Sequence, residues 1–187
     1  MKIFFDTEFT GLHKDTTLIS IGMVAENGKK FYAESTDYCS VQCNDWIQDN
    51  VLSHTILQGN EEMAKELGED ANTTVVIGCS ENIRHEVSEW MSQFEYVEFV
   101  SDVCHYDFVL LIDIFGIAFD LPKQVCPACY DINQDIARHY GISASESFDK
   151  SREDIVAELC GKPIVGTKHN ALYDAEVIKA IYEEISS

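Results

Sequence analysis

The chain has few basic residues and no long apolar run. Its 187 residues carry 13 Lys and Arg against 33 Asp and Glu, a formal net charge of −20. Such a balance argues against a surface that coats nucleic acid, because affinity for phosphates normally needs Lys and Arg. No stretch approaches the roughly 18 apolar residues of a membrane span, and no basic-then-apolar signal precedes the first predicted strand. We therefore expect a cytoplasmic protein with no membrane partner.

The few basic residues, Lys and Arg, are unevenly distributed along the chain. Residues 138–179 hold six bases and seven acids, a net charge of −1. The other 145 residues hold seven bases and twenty-six acids, a net charge of −19. Two interpretations stay open. The six basic residues line a phosphate-binding track along the carboxyl-terminal third, or they are dispersed over the surface and only keep the protein soluble.

The seven cysteines are odd in number and scattered, which favours a reduced compartment. Cys39 with Cys43 and Cys126 with Cys129 could together supply four zinc ligands. Pro127 and Ala128 give the second pair no zinc-ribbon context, and the first pair is widely spaced. Plain buried or loop thiols are therefore favoured over structural zinc and over a redox pair.

Against this background, acids recur in three separated patches, and the first patch ends a predicted strand. Met1 to Asp6 contains a short apolar run, and the alternation of side chains along a strand turns Asp6 and Glu8 to one face. Thr10-Gly11 predicts a turn in which Gly11 lets the backbone approach a ligand. Leu12 would then project over the site.

The other two patches fall at predicted helix starts. Asn170 is a suitable N-cap, so Asp174 lies in the first turn of the last helix and His169 lies in the preceding loop. A histidine in a loop suits a general base, and Lys168 beside it adds positive charge for a phosphate. Asp107 opens a helix over 109–115, and Asp102 is the rival ligand.

Clustered acids without basic partners repel one another and usually persist only with bound metal or raised pKa values. Four carboxylates for two divalent cations and a histidine to deprotonate water suit phosphodiester hydrolysis. The alternative is that each acid is an ordinary solvated residue, as most Asp and Glu are.

These motifs resemble those of the DEDDh-type 3′–5′ exonucleases. Residues 6–12 match the first motif, Asp107 followed by Leu111 matches the second in part, and His169 with Asp174 matches the third. The short length is most similar to the small single-domain bacterial and phage 3′–5′ exoribonucleases. Many relatives carry a His-Asn pair where this chain has residues 102–103, which leaves the sugar preference open.

The resemblance implies one exonuclease domain over residues 1–187 that binds RNA 3′ ends, with single-stranded DNA as the alternative substrate. It implies that two Mg²⁺ or Mn²⁺ ions bind to four acids, that His169 activates water, and that Glu8 is also catalytic. The metal ligands would be Asp6, Glu8, Asp107 and Asp174. The substrate contacts would be Thr7, Phe9, Thr10, Gly11, Leu12 and Lys168. Relatives often form homodimers, and the resemblance extends that option to this chain.

The predicted elements indicate an α/β protein, since strands come first and then alternate with helices. Leu18–Ala25 and Lys29–Ser35 form a hairpin around Asn27-Gly28. Residues 117–130, with Pro122 and Pro127, are predicted as a loop, and 143–168 as loops around one short helix. The resemblance implies a ribonuclease-H-like fold with a five-stranded mixed sheet flanked by helices. Other functions left open are a DNA exonuclease, a non-catalytic acidic binding module and an acidic zinc protein.

Overall fold

Six strands form one mixed sheet in the order β4-β3-β2-β1-β5-β6 in a computed structural model that describes residues 1–59 and 61–186. The strands are β1 (Lys2–Phe9), β2 (Leu18–Ala25), β3 (Lys30–Ser35), β4 (Thr73–Gly78), β5 (Val97–Ser101) and β6 (Val125–Asp131). The pairs β1–β2 and β2–β3 are antiparallel, and the other three pairs are parallel. The predicted hairpin and mixed α/β class are confirmed.

The predicted count of five strands is wrong, because β6 lies mostly within the segment expected to be a loop. Proline lacks the backbone N–H of a sheet ladder and is tolerated at sheet edges and bulges. β6 is an edge strand, and its pairing with β5 is irregular between Val125 and Cys129, the stretch that contains Pro127. Pro127 therefore bends the strand without ending it.

Helices cover both faces of the sheet. They are α1 (Asp45–Asn50), α2 (Glu61–Glu69), α3 (Ser80–Ser92), α4 (His105–Phe115), α5 (Asn133–Tyr140), α6 (Ala144–Asp149), α7 (Arg152–Cys160) and α8 (Ala171–Ile185). No helix among the described residues is long and apolar enough to cross a membrane.

The alternation of β1 across the sheet decides where its acids point. Ile3 and Phe5 pack in the core beneath α3 and α4, whereas Phe4 packs in the core beneath α5, α7 and α8. Asp6 and Glu8 continue the register of Phe4. They therefore face α8, the helix that carries Asp174.

A glycine on β2 lets α8 approach this acidic end of the sheet. Gly22 pairs with Asp6, and a Cβ built on Gly22 would lie 2.3 Å from the backbone of both Ala171 and Leu172. The first turn of α8 thus rests directly on the strand beside Asp6. This contact sets the height of Asp174 above the sheet.

We expect Gly22→Ala to destabilise the fold by about 2–4 kcal/mol, because a rigid backbone cannot yield to the added methyl group. Denaturant unfolding measures the loss. Gly68→Ala is the matched control: its Cβ would meet nothing within 4 Å and it lies within α2, so its stability should hold or rise by up to about 1 kcal/mol. Equal stability of the two variants would contradict the close approach of α8.

Candidate active site

The three acidic patches meet in one cleft of about 390 Å³ at the carboxyl end of β1. The residues that line it include Asp6 and Glu8 of β1, Asp107 of α4, His169 of the loop before α8, and Asp174 of α8. Segments at least 60 residues apart in sequence thus supply one group of acids with a histidine at its edge.

Asp107 is fixed by hydrogen bonds from both neighbouring strands. The backbone N–H and the hydroxyl of Thr7 donate to its Oδ1 at 3.0 and 2.6 Å, and the Ser101 hydroxyl donates to its Oδ2 at 3.3 Å. Asp107 is only 7% exposed. The ends of β1 and β5 therefore hold this carboxylate in one orientation before any ligand binds.

Asp102, the rival of Asp107, is engaged elsewhere. Its Oδ2 lies 2.5 Å from Nε of Arg152 and its Oδ1 lies 2.9 Å from Nη2, a bidentate ion pair. Asp102 lines the cleft, but its negative charge is neutralised by the guanidinium. This geometry favours Asp107 over Asp102 as a metal ligand.

Asp102→Ala should lower the free energy of unfolding by about 2–4 kcal/mol, since it leaves the guanidinium of Arg152 largely buried without its partner. Asp107→Asn should instead keep or raise the stability of the metal-free protein, because it removes one of several repelling charges. Thermal unfolding with and without Mn²⁺ separates the two acids. Only the Asp107 variant should lose stabilisation by the metal, and the reverse pattern would make Asp102 the ligand.

Burial raises the pKa of all four clustered carboxyl groups. It raises the pKa of Asp107 to about 6 and that of Asp174 to about 7. The pKa values of Asp6 and Glu8 lie well above their ordinary range, first through burial and then through the neighbouring carboxylates. Among the described residues, none of the four forms an ion pair with Lys or Arg. An all-oxygen donor set with uncompensated negative charge fits hard divalent cations.

His169 stands at the rim of this cluster, beside the start of α8. Asn170 caps the helix as predicted, since its Oδ1 accepts from the backbone N–H of Leu172 and of Tyr173. The backbone N–H of His169 faces the Asp174 carboxylate and lowers its pKa, against the larger opposite effect of burial. Side-chain atoms of Glu8, His169 and Asp174 that could ligate a metal all lie within 4.8 Å of one another.

The pKa of His169 is held below its ordinary value, first by burial and then by the positive charges of Lys168 and His54. Its imidazole is therefore neutral at pH 7, with a lone pair ready to accept a proton. The ring of Trp46 meets it edge-on, with 5.1 Å between ring centroids. A neutral, partly shielded imidazole beside carboxylates can serve as a general base.

Backbone strain is concentrated at this cleft. Val103 has φ of 53° and His169 has φ of 63°, and these are the described non-glycine residues with positive φ. For a β-branched residue such as Val103 the left-handed region is strongly disfavoured. Strained conformations tend to persist at functional sites, where the surrounding structure enforces them.

Of the residues predicted to contact substrate, Thr7, Phe9 and Lys168 line the cleft, whereas Thr10, Gly11 and Leu12 follow β1 and are not among the lining residues. Phe9 stacks on Tyr106 with 5.3 Å between ring centroids, and Lys168 lies near Glu153, with 3.8 Å between Nζ and Oε1. Leu12 is 78% exposed, so its side chain is available to a ligand.

The polar groups of the other predicted contacts, Thr7, Thr10 and Gly11, form hydrogen bonds within the protein. Thr7 orients Asp107, and Thr10 is buried, with its hydroxyl 2.5 Å from Gln42 Oε1. The backbone N–H of Gly11 donates to the Thr16 hydroxyl at 3.1 Å. The hydrogen bonds of Thr10 and Gly11 therefore shape the loop that follows β1.

The cysteine pairs lie on separate elements. Cys39 and Cys43 flank a 3₁₀ turn at residues 40–42, and Cys126 and Cys129 lie on the edge strand β6. Within the described part of the chain, Glu8, His169 and Asp174 are the group of three or more residues whose spacing suits a metal. We expect no stoichiometric zinc in the purified protein, as measured by elemental analysis. One zinc per chain that disappears in Cys126→Ser would contradict this prediction.

Comparison with known proteins relates the whole chain to one family. The family described as the 3′–5′ exoribonuclease Rv2179c-like domain matches residues 1–186. Two curated proteins of Mycobacterium tuberculosis, the 3′–5′ exoribonucleases Rv2179c and MT2234.1, are each 42% identical over 52 residues. That segment spans 28% of this chain and 31% of each relative's length.

Solved structures share the fold at low identity. The nuclease domain of 3′hExo, a DEDDh family member bound to rAMP, superposes with a TM-score of 0.65 at 14% identity, covering 96% of this chain and 88% of that one. A 3′-exonuclease whose structure concerns 3′-end recognition of a histone mRNA stem-loop gives a TM-score of 0.66 at 13% identity, covering 98% and 63%. The described chain therefore has the fold of DEDDh nucleases.

Proposed function

Because this chain belongs to the Rv2179c-like 3′–5′ exoribonuclease domain family, we propose that it removes nucleotides from RNA 3′ ends as nucleoside 5′-monophosphates. One observation carries the proposal: four carboxylates with raised pKa values and a neutral histidine converge on one cleft. The solved 3′hExo domain with rAMP has the same fold.

Asp6, Glu8, Asp107 and Asp174 would hold the divalent cations on which this family depends, two Mg²⁺ or Mn²⁺ ions. When bound, these ions would supply positive charge that stabilises the transition state of phosphodiester hydrolysis. The cluster is suited to them because binding relieves the mutual repulsion of its carboxylates.

The other residues divide the work of proton transfer and positioning. His169 accepts the proton of the attacking water through its neutral imidazole. Thr7 and Ser101 keep Asp107 aimed into the cleft. Phe9 and Leu12 contact the terminal nucleoside, and Lys168 contributes charge towards a phosphate. Phe9 and Lys168 line the cleft, and the role of Leu12 rests on its exposed side chain in the loop that follows β1.

A phosphate track beside His169 accounts for how a chain of net charge −20 can bind RNA. Lys150, Arg152 and Lys168 line the cleft, and all three come from residues 138–179, whose charge is nearly balanced. Arg152 is paired with Asp102 and Lys168 lies near Glu153, so Lys150 contributes most of the positive charge offered to an RNA backbone. The rest of the chain is strongly acidic, and its negative charge disfavours binding along a long duplex.

The test uses end-labelled RNA and DNA of one sequence, single-stranded and with 3′ overhangs, incubated with Mg²⁺ or Mn²⁺. We expect stepwise shortening of RNA from its 3′ end, 5′-monophosphate products, and loss of activity in EDTA. Faster degradation of DNA would make the protein a DNA exonuclease. Nucleic-acid binding without hydrolysis in either metal would make it a non-catalytic acidic module. The single-domain organisation, cytoplasmic location and homodimer remain proposals, and light scattering tests the last.

A further inference from the structure

The last turn of α6 and its C-cap residue present an aromatic ring and an ammonium to the cleft. Phe148 and Lys150 both line it, and Phe148 is 61% exposed. Among the described residues no carboxylate forms an ion pair with Lys150, whose Nζ lies 4.5 Å from the centroid of the Tyr140 ring. An exposed ring two residues from an unneutralised cation is a suitable surface for one nucleotide.

Arg152 fixes the backbone on either side of Phe148 through hydrogen bonds to residues 147 and 150. One guanidinium nitrogen donates to the carbonyl oxygens of Ser147 (2.6 Å) and Lys150 (2.8 Å), while the bidentate pair with Asp102 joins the guanidinium to the end of β5. Ser147 is buried, and its hydroxyl donates to Asn133. The backbone that carries Phe148 and Lys150 is therefore ordered before substrate arrives, which lowers the entropic cost of binding.

We propose that Phe148 and Lys150 form the binding subsite for the nucleotide immediately upstream of the scissile phosphate. Phe148 stacks on its base, and Lys150 contacts its phosphate. This inference rests on the proposed function and adds where the retained strand lies. The terminal nucleoside lies against the end of β1, and the strand that continues past the acids then passes Phe148 and Lys150, which also line the cleft.

Two substrates separate this subsite from the reaction centre. One is a trinucleotide RNA, and the other is uridine 5′-(p-nitrophenyl phosphate). In the ester, p-nitrophenolate replaces the upstream nucleotide as the leaving group: water attacks phosphorus, the bond to the aryl oxygen breaks, and UMP is released. Only the trinucleotide places a nucleobase and a second phosphate in the proposed subsite.

Phe148→Ala should lower kcat/KM for the trinucleotide about 5- to 150-fold relative to that for the ester, the usual worth of one aromatic–base stack. Phe148→Tyr, which keeps a stacking ring, should restore most of it. Phe119→Ala is the control, because Phe119 is 96% exposed on the 3₁₀ turn after α4. Equal losses on both substrates would overturn the assignment of Phe148. A wild-type protein inactive on both substrates would instead refute the proposed function.

Lys150→Ala tests the phosphate contact through its salt dependence. One lost contact to a single strand should reduce the slope of log kcat/KM against log salt concentration by about 0.7. Arg152 bonds the backbone carbonyl of Lys150 and not its side chain, so the segment should keep its shape. Lys123→Ala, at an exposed residue outside the cleft, is the matched control. An unchanged slope would show that Lys150 does not contact the RNA backbone.

Discussion

Replacing Asp6 with Asn is expected to abolish hydrolysis while the metal-free protein keeps or gains stability. Asp6 lies at the centre of the cluster, where burial and the charges of Asp107, Asp174, Glu8 and Asp102 all raise its pKa. Removing its charge takes away a ligand for the cations and also relieves this repulsion. A residue needed for folding alone would behave differently, because its loss would lower stability as well as activity.

Thermal unfolding with and without Mn²⁺ measures both effects. A ligand that binds only the folded state stabilises it in proportion to the logarithm of its concentration above Kd, so Mn²⁺ should raise the Tm of the wild type more than that of Asp6→Asn. Asp113→Asn is the control, because Asp113 is an exposed carboxylate on α4. Equal Mn²⁺ shifts in wild type and Asp6→Asn would contradict the role of Asp6 as a metal ligand.

The dependence of apo stability on pH provides a second readout of the same cluster. Carboxyl groups with raised pKa values bind more protons in the folded than in the unfolded state, so stability falls as pH rises. The fall should begin near pH 4, the ordinary range of these groups, and continue to about 7, the pKa of Asp174. Asp6→Asn should reduce this loss of stability with rising pH. Saturating Mn²⁺ should stabilise the protein most where the carboxylates are ionised, and should therefore counteract the loss.

The positions of the site residues could be predicted from sequence because local rules fix them. A strand alternates its side chains, which turned Asp6 and Glu8 to one face, and Asn170 is an ordinary N-cap, which located the start of α8. Only the family resemblance indicated that the three acidic patches meet in one site. No periodicity places residue 107 beside residue 7.

What the sequence did not reveal depends on long-range contacts. Arg152 pairs with Asp102 fifty positions earlier, and this pair decides which aspartate remains unpaired in the cleft. Gly22 lies within an apolar strand, and only the packing of α8 shows why a side chain is excluded there. Trp46 carries no local signal that would place it against His169.

Glycine, serine and proline misled the assignment of elements in the second half of the chain. Residues 143–168 were predicted to contain one short helix, but they contain both α6 and α7. Ser143 caps α6 in a capping box with Glu146, and Ser151 caps α7. Ser143, one of the serines that suggested a loop, is thus a helix start, and Ser145 and Ser147 lie inside α6. Because Phe148 lies in the last turn of α6 and Lys150 is the C-cap of that helix, their position in the cleft could not be foreseen.

Substitution of His169 is expected to slow hydrolysis by roughly 10²- to 10⁴-fold, the usual worth of general-base assistance. His169→Asn is the more informative variant, because Asn tolerates the left-handed backbone at this position, where φ is 63°. His169→Ala should lose as much activity. Both variants should keep the rise in Tm caused by Mn²⁺ if the four acids alone hold the metal.

The pH profile distinguishes a base from a structural residue. A general base must be neutral to act, so kcat of the wild type should rise with pH through the pKa of His169. Burial and the charges of Lys168 and His54 lower that pKa, which places the rising limb below about 6.5. The variants should lack this limb. The measurement is kcat against pH on a short RNA in saturating Mn²⁺, with His85→Ala, at an exposed histidine of α3, as the control.

Two outcomes would assign His169 a different role. If His169→Asn keeps the wild-type rate and the same rising limb, the histidine only shapes the loop before α8, and another group takes the proton. If His169→Asn loses the stabilisation by Mn²⁺ together with activity, the imidazole is itself a metal ligand. The distances allow that second role, since its ring lies within 4.8 Å of Glu8 and Asp174. Retained metal binding with a lost pH limb is the one combination that makes His169 the general base.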